Sequence, residues 1–421
     1  MYADCKGIVQ NQLEVVDMSS SVVDNAQLNI VLCGLSFSSP NLGCGALAYA
    51  FRSILIETLR SENIDVFITV LSNVDCEDYV KAEEAWVHEN IIRYSFKNLA
   101  SMRMSRRAVR NADVVIDFTE GDSFSDIYGV KRFIVTSYFK YIAIHSNAAL
   151  MLGPQTYGPF KRKIVQHLAG KLISRADKVY ARDQKSAQLV RSIVDTDIVT
   201  TTDVAFSLPV GYCDVPEHNR PKFGLNVSGL LWTGGYTESN QFGLTVNYRE
   251  YIHKLIDAVT ERGYEVHLIP HVVGDLYPEC DSPICKRLAA EHDNCVVAPD
   301  FVSPMQAKGY ISHMDVFSGA RMHSTVGAFS SGVLTAPFSY SPKFEGLYGS
   351  IGYPYTINAR ALTTDEAIDA TLDYLDSPEK YREAQAKALS RAKTNIDSFS
   401  NDLQKWLKDI LAMKQVEKVG A

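Results

Sequence analysis

The sequence predicts an α/β protein of two Rossmann-like domains facing a cleft, with a C-terminal helical segment returning to brace the first domain. Three observations carry this. Short apolar runs alternate with longer amphipathic stretches, the pattern of parallel strands joined by helices. The alternation stops at a Pro-rich polar stretch, SLPVGYCDVPEHNRPK (207–222), and then restarts. From about Thr364 onward the chain is helical and charged, with no strand left to pair.

In the first half NIVLCG (29–34) reads as a strand, followed by a Gly- and Ser-rich loop and a helix from Ala46 to about Arg60. IDVFITVL (64–71) and DVVIDF (113–118) are strands, 129–145 is helical, and AALMLG (148–153) is a strand. The loop PQTYGPF (154–160) leads into a helix from Lys161 to about Arg175. KVYAR (178–182) feeds the helix DQKSAQLVRSI, and DIVTTTDV (197–204) is the last strand of this half. The second half predicts strands at 222–228, 264–271, 294–299, 314–320 and 333–338, with helices at 247–262, 283–292, 303–313, 322–331 and 342–350. The domain boundaries that follow are a mobile leader at 1–28, a first domain at 29–210, a linker at 211–221, a second domain at 222–362 and C-terminal helices at 363–421.

A formal charge of −7 argues against general nucleic-acid binding, which needs a basic face to displace counterions. No stretch of about 18 uninterrupted apolar residues predicts a membrane span, and the N-terminus, with Asp4 and Lys6, lacks the apolar region of a signal peptide. Eight scattered cysteines without C-x-x-C spacing read as reduced thiols of a cytoplasmic protein. Cys280, Cys285 and Cys295 near His271 and His292 match no zinc spacing, so no metal is expected.

In open parallel sheets ligands bind beyond the carboxyl ends of strands, so residues just after each strand are the candidates. In SGARMHSTVGAFSSG (318–332), Arg321 and His323 fall at the opening turn of a helix, where amides and the macrodipole favour anions. Arg321 offers a planar fork for carboxylate or phosphate, and His323 a proton donor or acceptor near neutral pH. Their structural alternatives are an ion pair and a helix cap. Arg182 ends another strand, beside Asp183, which reads as an N-cap; an interdomain salt bridge is the alternative for Arg182. In LGPQTYGPFKRK (152–163), Gly158 permits close approach of a ligand and Gln155 could bond a sugar or phosphate, although a rigid connection explains the prolines equally. Asn41 lies in the loop NLGCGA (41–46), which is no full dinucleotide fingerprint. Asp122 or Glu120, in TEGDSFSD (119–126), could act as acceptor base or simply cap a turn. Tyr340 and Lys343 follow the strand VLTAPF and point at the same cleft. Arg103, Arg106, Arg107 and Arg110 form one helical face, either solvated or suited to a pyrophosphate-linked lipid acceptor.

Taken together, LGPQTYGPF (152–160), the A-R-D-x-x-S of Ala181 to Ser186, TTDVAFSLP (201–209), GLNVS (224–228), the R-x-H of Arg321 and His323, and the Y-x-x-K of Tyr340 and Lys343 resemble the polysaccharide pyruvyl transferase family. The resemblance runs from about residue 29 to 360. It implies a glycosyltransferase-B-like pair of domains without a metal or other cofactor, with phosphoenolpyruvate as donor substrate. It implies that Arg182, Arg321 and His323 engage that donor, the arginines on its phosphate and carboxylate, with His323 as acid–base. Its partner would be a sugar acceptor, lipid-diphosphate-linked acceptors included, and its place the cytoplasm or the inner membrane surface. Two departures stand out. The first loop has Cys44 and Gly45 where the family has an acidic or amide residue, and the second has Glu120, Gly121 and Asp122 where the family has a glycine run.

Ketal formation requires protonation of the enol carbon, addition of a sugar hydroxyl, loss of phosphate and closure of a second hydroxyl onto the same carbon. The oxocarbenium character of that path calls for a carboxylate nearby and donors on the leaving phosphate. Two other readings share the fold: a glycosyltransferase using a nucleotide sugar, and a non-catalytic relative in a glycan assembly complex.

Overall fold

The computed structural model describes residues 26–74, 80–216, 219–274 and 278–420. Most of the leader predicted at 1–28 lies outside the described residues, but its end does not, because β1 (Gln27–Cys33) already begins there. From it the chain runs through α1 (Leu42–Leu59), β2 (Asp65–Ser72), β3 (Val87–Arg93), α2 (Leu99–Arg110) and β4 (Val114–Asp117). It continues with α3 (Val130–Ala143), β5 (Ala149–Gln155), α4 (Lys163–Ile173), β6 (Lys178–Ala181), α5 (Gln184–Ile193) and β7 (Val199–Thr200). These strands form one parallel sheet in the order β3-β2-β1-β4-β5-β6-β7.

The second half repeats the plan. It comprises β8 (Lys222–Asn226), α6 (Gly229–Trp232), α7 (Tyr248–Glu261), β9 (Glu265–Leu268), α8 (Ser282–Glu291), β10 (Cys295–Val297) and α9 (Pro304–Ile311). Then come β11 (Val316–Gly319), α10 (Met322–Ser330), β12 (Leu334–Ser339), α11 (Pro342–Ser350), β13 (Ile357–Asn358), α12 (Thr364–Asp376) and α13 (Pro378–Gly420). Its parallel sheet has the order β10-β9-β8-β11-β12-β13. In both sheets the strand order reverses beside the first strand, at β1/β4 and at β8/β11. Loops leaving such a pair diverge and open a crevice, and the two crevices face each other.

The sequence reading needs three corrections here. β3 was not expected, because its sequence VHENIIR mixes charge into an edge strand and breaks apolar alternation. DIVTTTDV is a strand only at Val199–Thr200; Asp203 then caps a 3-10 turn, Val204–Ser207, by accepting from the Ala205 amide at 2.9 Å. The short β13 was also not foreseen. The Pro-rich stretch, of which 217 and 218 lie outside the described residues, packs on α9. The Gly211 amide bonds Met305 O at 2.9 Å, and Lys308 Nζ bonds Leu208 O at 2.7 Å.

Helix α1 is apolar almost all round and long enough to cross a membrane, yet 83% of it is buried inside the protein. The 3-10 turn after Asp203, α9, α10 and α13 cover it, and α13 does so from farthest along the chain. That helix starts against the second domain, where Gln385 bonds Thr335, Phe329 and Val333. It then crosses to the first domain, where Phe399 packs edge-on against Tyr180 at 4.8 Å and near Phe51. Asp402 accepts from Lys178 Nζ at 2.8 Å and from the Tyr180 hydroxyl, and Lys414 reaches Asp113 at 2.6 Å. Phe399 is 1% exposed, so Phe399→Ala should remove about 3–5 kcal/mol. Thermal unfolding reads this as a drop in melting temperature; a variant melting with the wild type would show that α13 is not a brace.

Candidate active site in the interdomain cleft

A cleft of about 390 Å³ lies between the two crevices. Its first-domain wall comes from the start of α1, with the N-cap Asn41 followed by Gly43 and Cys44, and the loop after β4, with Glu120 and Asp122. The second domain contributes His271 after β9, Arg321 and His323 after β11, and Tyr340 and Lys343 after β12. Arg182, after β6, closes the floor. The structure therefore brings together Asn41, Asp122, Arg182, Arg321, His323, Tyr340 and Lys343. Leu42 N bonds His271 O at 3.0 Å and Val273 N bonds Pro40 O at 2.9 Å, stitching the two domains at the edge of the cleft.

Arg182, His323 and Arg321 each meet a buried carboxylate. Arg182 Nη1 bonds Asp203 Oδ2 at 3.0 Å, and His323 Nε2 lies 3.5 Å from the same oxygen, an ion-pair contact rather than a well-formed hydrogen bond. Burial alone would raise the Asp203 carboxyl, but His323, Arg182 and the Ala205 amide together bring it down to about 2. Asp203 is thus a fixed anion reaching across the domain interface. The other ring nitrogen of His323 faces the N-terminus of α1: a Cβ added at Gly43 would lie 2.5 Å from Nδ1. Only glycine leaves the imidazole room at that turn.

Arg321 is tied to Asp281, which is wholly buried. Its Nη2 bonds Oδ1 at 2.9 Å and its Nε at 3.3 Å, while Nη2 also reaches the Glu279 carbonyl. The same carboxylate accepts from Gly229 N at 2.9 Å and from His271 N and Val272 N, each at 3.0 Å. Asp281 therefore gathers the loops after β8, β9 and β11. Asn226, at the end of β8, fixes the Arg321 amide at 2.9 Å through Oδ1.

His271 is 4% exposed, lines the cleft, and neither ring nitrogen has a hydrogen-bond partner. Burial, with the charges of His323 and Arg321 adding, pushes its imidazole down to about 3, so the ring is neutral at physiological pH. A buried polar group left unpaired is costly, and here it faces space a ligand can fill. Helices α10 and α11 also begin at the cleft, and neither has a side-chain cap, so no side chain of the cap residue competes with an anion for their first amides.

Other expectations change. Gln155 is fully buried and donates to Asp117 O at 3.3 Å. As the last residue of β5 it points into the domain, so placing it at the substrate is corrected. Gly158, at φ 69 and with Leu189 against its α-carbon, does not reach the cleft. It lines a second cavity of about 360 Å³ that shares only Asp122, Arg182 and Lys343 with the first. Asp122 is ion-paired to Lys343 and accepts from Tyr128 Oη at 3.2 Å. Burial pushes the Asp122 carboxyl up, but Lys343 more than offsets this and holds it below the usual range, which makes it a poor proton acceptor. Glu120 pairs with Arg132. Cys44 lies in the cleft, yet burial and the charges of Glu120 and Asp122 push its thiol up to about 12, so it is no nucleophile. Among the described residues no group of three or more His, Cys, Asp or Glu side chains could hold a metal ion; Cys285 is in the second-domain core and His292 bonds His253 at 2.9 Å.

Sequence reasoning missed Asp203, Asp281 and His271 as parts of the site. Asp203 carried a faint signal, standing inside a quoted motif at the end of a short strand. Removing one member of a buried ion pair leaves a bare charge, so Asp281→Ala should destabilise by about 3–5 kcal/mol. Thermal unfolding measures it, and a change below about 1 kcal/mol would show that Asp281 does not organise these loops.

No curated protein matches the chain. Solved structures that share its fold include a putative UDP-N-acetylglucosamine 2-epimerase from Listeria monocytogenes, with a TM-score of 0.55 and 13% identity over 91% of this chain and 97% of that one. The UDP-GlcNAc 2-epimerase of Neisseria meningitidis, bound to UDP-GlcNAc, gives 0.52 and 14% over 90% and 100%. An E. coli structure described as trehalose-6-phosphate bound with UDP-2-fluoro glucose gives 0.55 and 10% over 91% and 99%. These likenesses establish the glycosyltransferase-B-like arrangement of the two domains. The family model for polysaccharide pyruvyl transferase matches residues 41–342, from the loop that opens α1 to the first residue of α11. With the match spanning most of the chain, this protein belongs to the polysaccharide pyruvyl transferase family.

Proposed function

We propose that this protein transfers the carboxyethylidene unit of phosphoenolpyruvate to two hydroxyls of a sugar, forming a pyruvate ketal and releasing phosphate. The observation that carries the reading is the convergence of Arg182, Arg321 and His323 from two domains on one cleft, each basic group positioned by a buried carboxylate. Family membership supports the same chemistry.

In this scheme the guanidinium groups of Arg182 and Arg321 and the open N-termini of α10 and α11 hold the phosphate and carboxylate. Neutral His271 donates one N–H to the same anion. His323 protonates C3 of the enol, and C2 takes on oxocarbenium character. A sugar hydroxyl adds to C2 and gives up its proton, the C2–O bond to phosphate breaks, and a second hydroxyl closes onto C2 with loss of its proton. The two hydroxyl protons end on the new methyl group and on hydrogen phosphate, so the sum balances. Asp203 keeps the imidazole oriented through the cycle and, as a nearby anion, favours the cationic carbon. Solved structures of the same fold that hold UDP or UDP sugars keep a nucleotide-sugar donor as the second reading.

Phosphoenolpyruvate at a hundredfold excess over its Kd should stabilise the protein by about 2.7 kcal/mol. The rise in melting temperature should vanish in Arg321→Ala, compared at its own baseline. A rise with a UDP sugar and none with phosphoenolpyruvate would sink the proposal in favour of the second reading.

The two histidines should separate kinetically. His323→Ala should lose kcat by roughly 10²–10⁴-fold, as for a general acid. His271→Ala should lose roughly 10–100-fold in kcat/KM, mostly as KM, the scale of one hydrogen bond to a charged group. Because a ring titrating at about 3 is uncharged between pH 5 and 9, the pH–rate profile of His271→Ala should keep the wild-type shape. A His323→Ala protein turning over normally would remove that residue from the mechanism.

A further inference from the structure

We propose that the outer face of the first domain, formed by α2, α3 and α4, is a docking surface for an anionic lipid bilayer. These helices lie side by side on the side of the sheet opposite α1 and α13. None of their 12, 14 and 11 residues is Asp or Glu, in a chain whose net charge is −7. The predicted basic face of α2 is realised, with Arg103, Arg107 and Arg110 exposed beside Leu99 and Met104, which are 67% and 58% exposed. On α3 the outward stripe is Lys131, Ile134, Tyr138 and Tyr141; on α4 it is Ile164, Leu168 and Lys171, continued by Arg175. Phe96, just before α2, bridges to α3 by packing on Tyr138 at 5.5 Å, and Arg175 reaches His145 at the end of α3 at 3.5 Å. The patch is continuous.

Of the eighteen large hydrophobic residues exposed among those described, nine fall between Phe96 and Leu168 on this layer and its loops. Such clustering marks an interaction surface. The mixture decides the partner. Nucleic acid would use the cations but leave the exposed Ile and Leu side chains in water. A protein interface concentrates its apolar residues at a charge-depleted centre, whereas here cations and apolar side chains alternate along each helix. A bilayer surface takes both, with anionic headgroups for Lys and Arg and the acyl boundary for Ile, Leu and Phe.

The face also leads to the site. Tyr128 and Arg132, at the start of α3, line the cleft, and Ile127 and Pro159 line the second cavity behind Lys343. A sugar acceptor carried on a lipid would be presented there; only that clause rests on the proposed function.

Flotation of the full chain with vesicles of equal parts phosphatidylcholine and phosphatidylglycerol tests the surface without any donor. The protein should float with these vesicles and stay in the buffer with phosphatidylcholine alone. Reversing the charge at three positions, in Arg103→Glu/Arg107→Glu/Arg110→Glu, should weaken partition roughly 100-fold or more, at ~1 kcal/mol per surface cation. Ile134→Ser/Ile164→Ser, which keeps every charge, should weaken it about tenfold or more. Wild type that remains in the buffer, variants that float like wild type, or retention of single-stranded RNA in place of vesicles would overturn the proposal. The charge-reversed variant should keep the phosphoenolpyruvate-induced rise in melting temperature, so a failure of the donor reading and a failure of the surface are read separately.

Discussion

One buried carboxylate makes two domains into one site. Asp203 lies in the first domain and accepts Arg182 from the same domain, yet it also meets His323 of the second domain at 3.5 Å. In a low-dielectric interior a charge needs polar partners, and Asp203, paired with Arg182 in its own domain, finds a further one in His323 across the interface, which favours this arrangement of the domains. Lys343 with Asp122 repeats the device at the mouth, again across the interface. The relative position of the catalytic candidates is therefore an electrostatic matter more than a question of linker length.

The same pairing sets a condition on the ligand. Arg182, Arg321, Lys343 and Arg132 each already have an acidic partner. A multiply charged anion must share these cations with Asp203, Asp281, Asp122 and Glu120 rather than meet free charge. The groups not committed to a carboxylate are dipolar: the amides at the starts of α10 and α11, and the neutral ring of His271. Such donors are oriented before the ligand arrives and need no reorganisation as charge develops on it. Binding strength and discrimination would then come from dipoles, with the arginines providing the field around them.

The candidates legible in the sequence were those whose position is set locally. Arg182, Arg321 and His323 sit at strand-to-helix junctions, and a junction can be read from the change of period alone. Asp203 and Asp281 could not be assigned in the same way, because a carboxylate is defined by its partners, and Arg321 is forty residues from Asp281 in sequence. His271 reads as an ordinary strand-end histidine until burial and the neighbouring charges are known. Gln155 shows the opposite failure: its place at a strand end suggested the cleft, but the pleat turns its side chain inward. The two-domain plan was legible because it rests on many weak local signals that agree. β3 was lost because an edge strand needs only one neighbour and tolerates the charges that hide it.

The loop after β4 bears on the departure from the family pattern. Thr119 and Glu120 hold left-handed backbone, at φ 44 and 54, followed by Gly121 at 83. A glycine run would reach these angles without steric cost, whereas side chains make them unfavourable by roughly 1–2 kcal/mol each. This chain adopts such a backbone with side chains in place and accepts the strain. What it receives in place of glycine is visible: Glu120 anchors Arg132, Asp122 anchors Lys343, and Thr119 Oγ1 bonds Asp117 at 2.5 Å. The altered residues build a charged rim on the first-domain side of the cleft, and one of them, Asp122, reaches across the interface to Lys343. Such a rim holds Arg132 and Lys343 by ion pairs, so the departure from glycine changes the charge pattern at the mouth of the cleft while Arg182 and Arg321 keep carboxylates of their own.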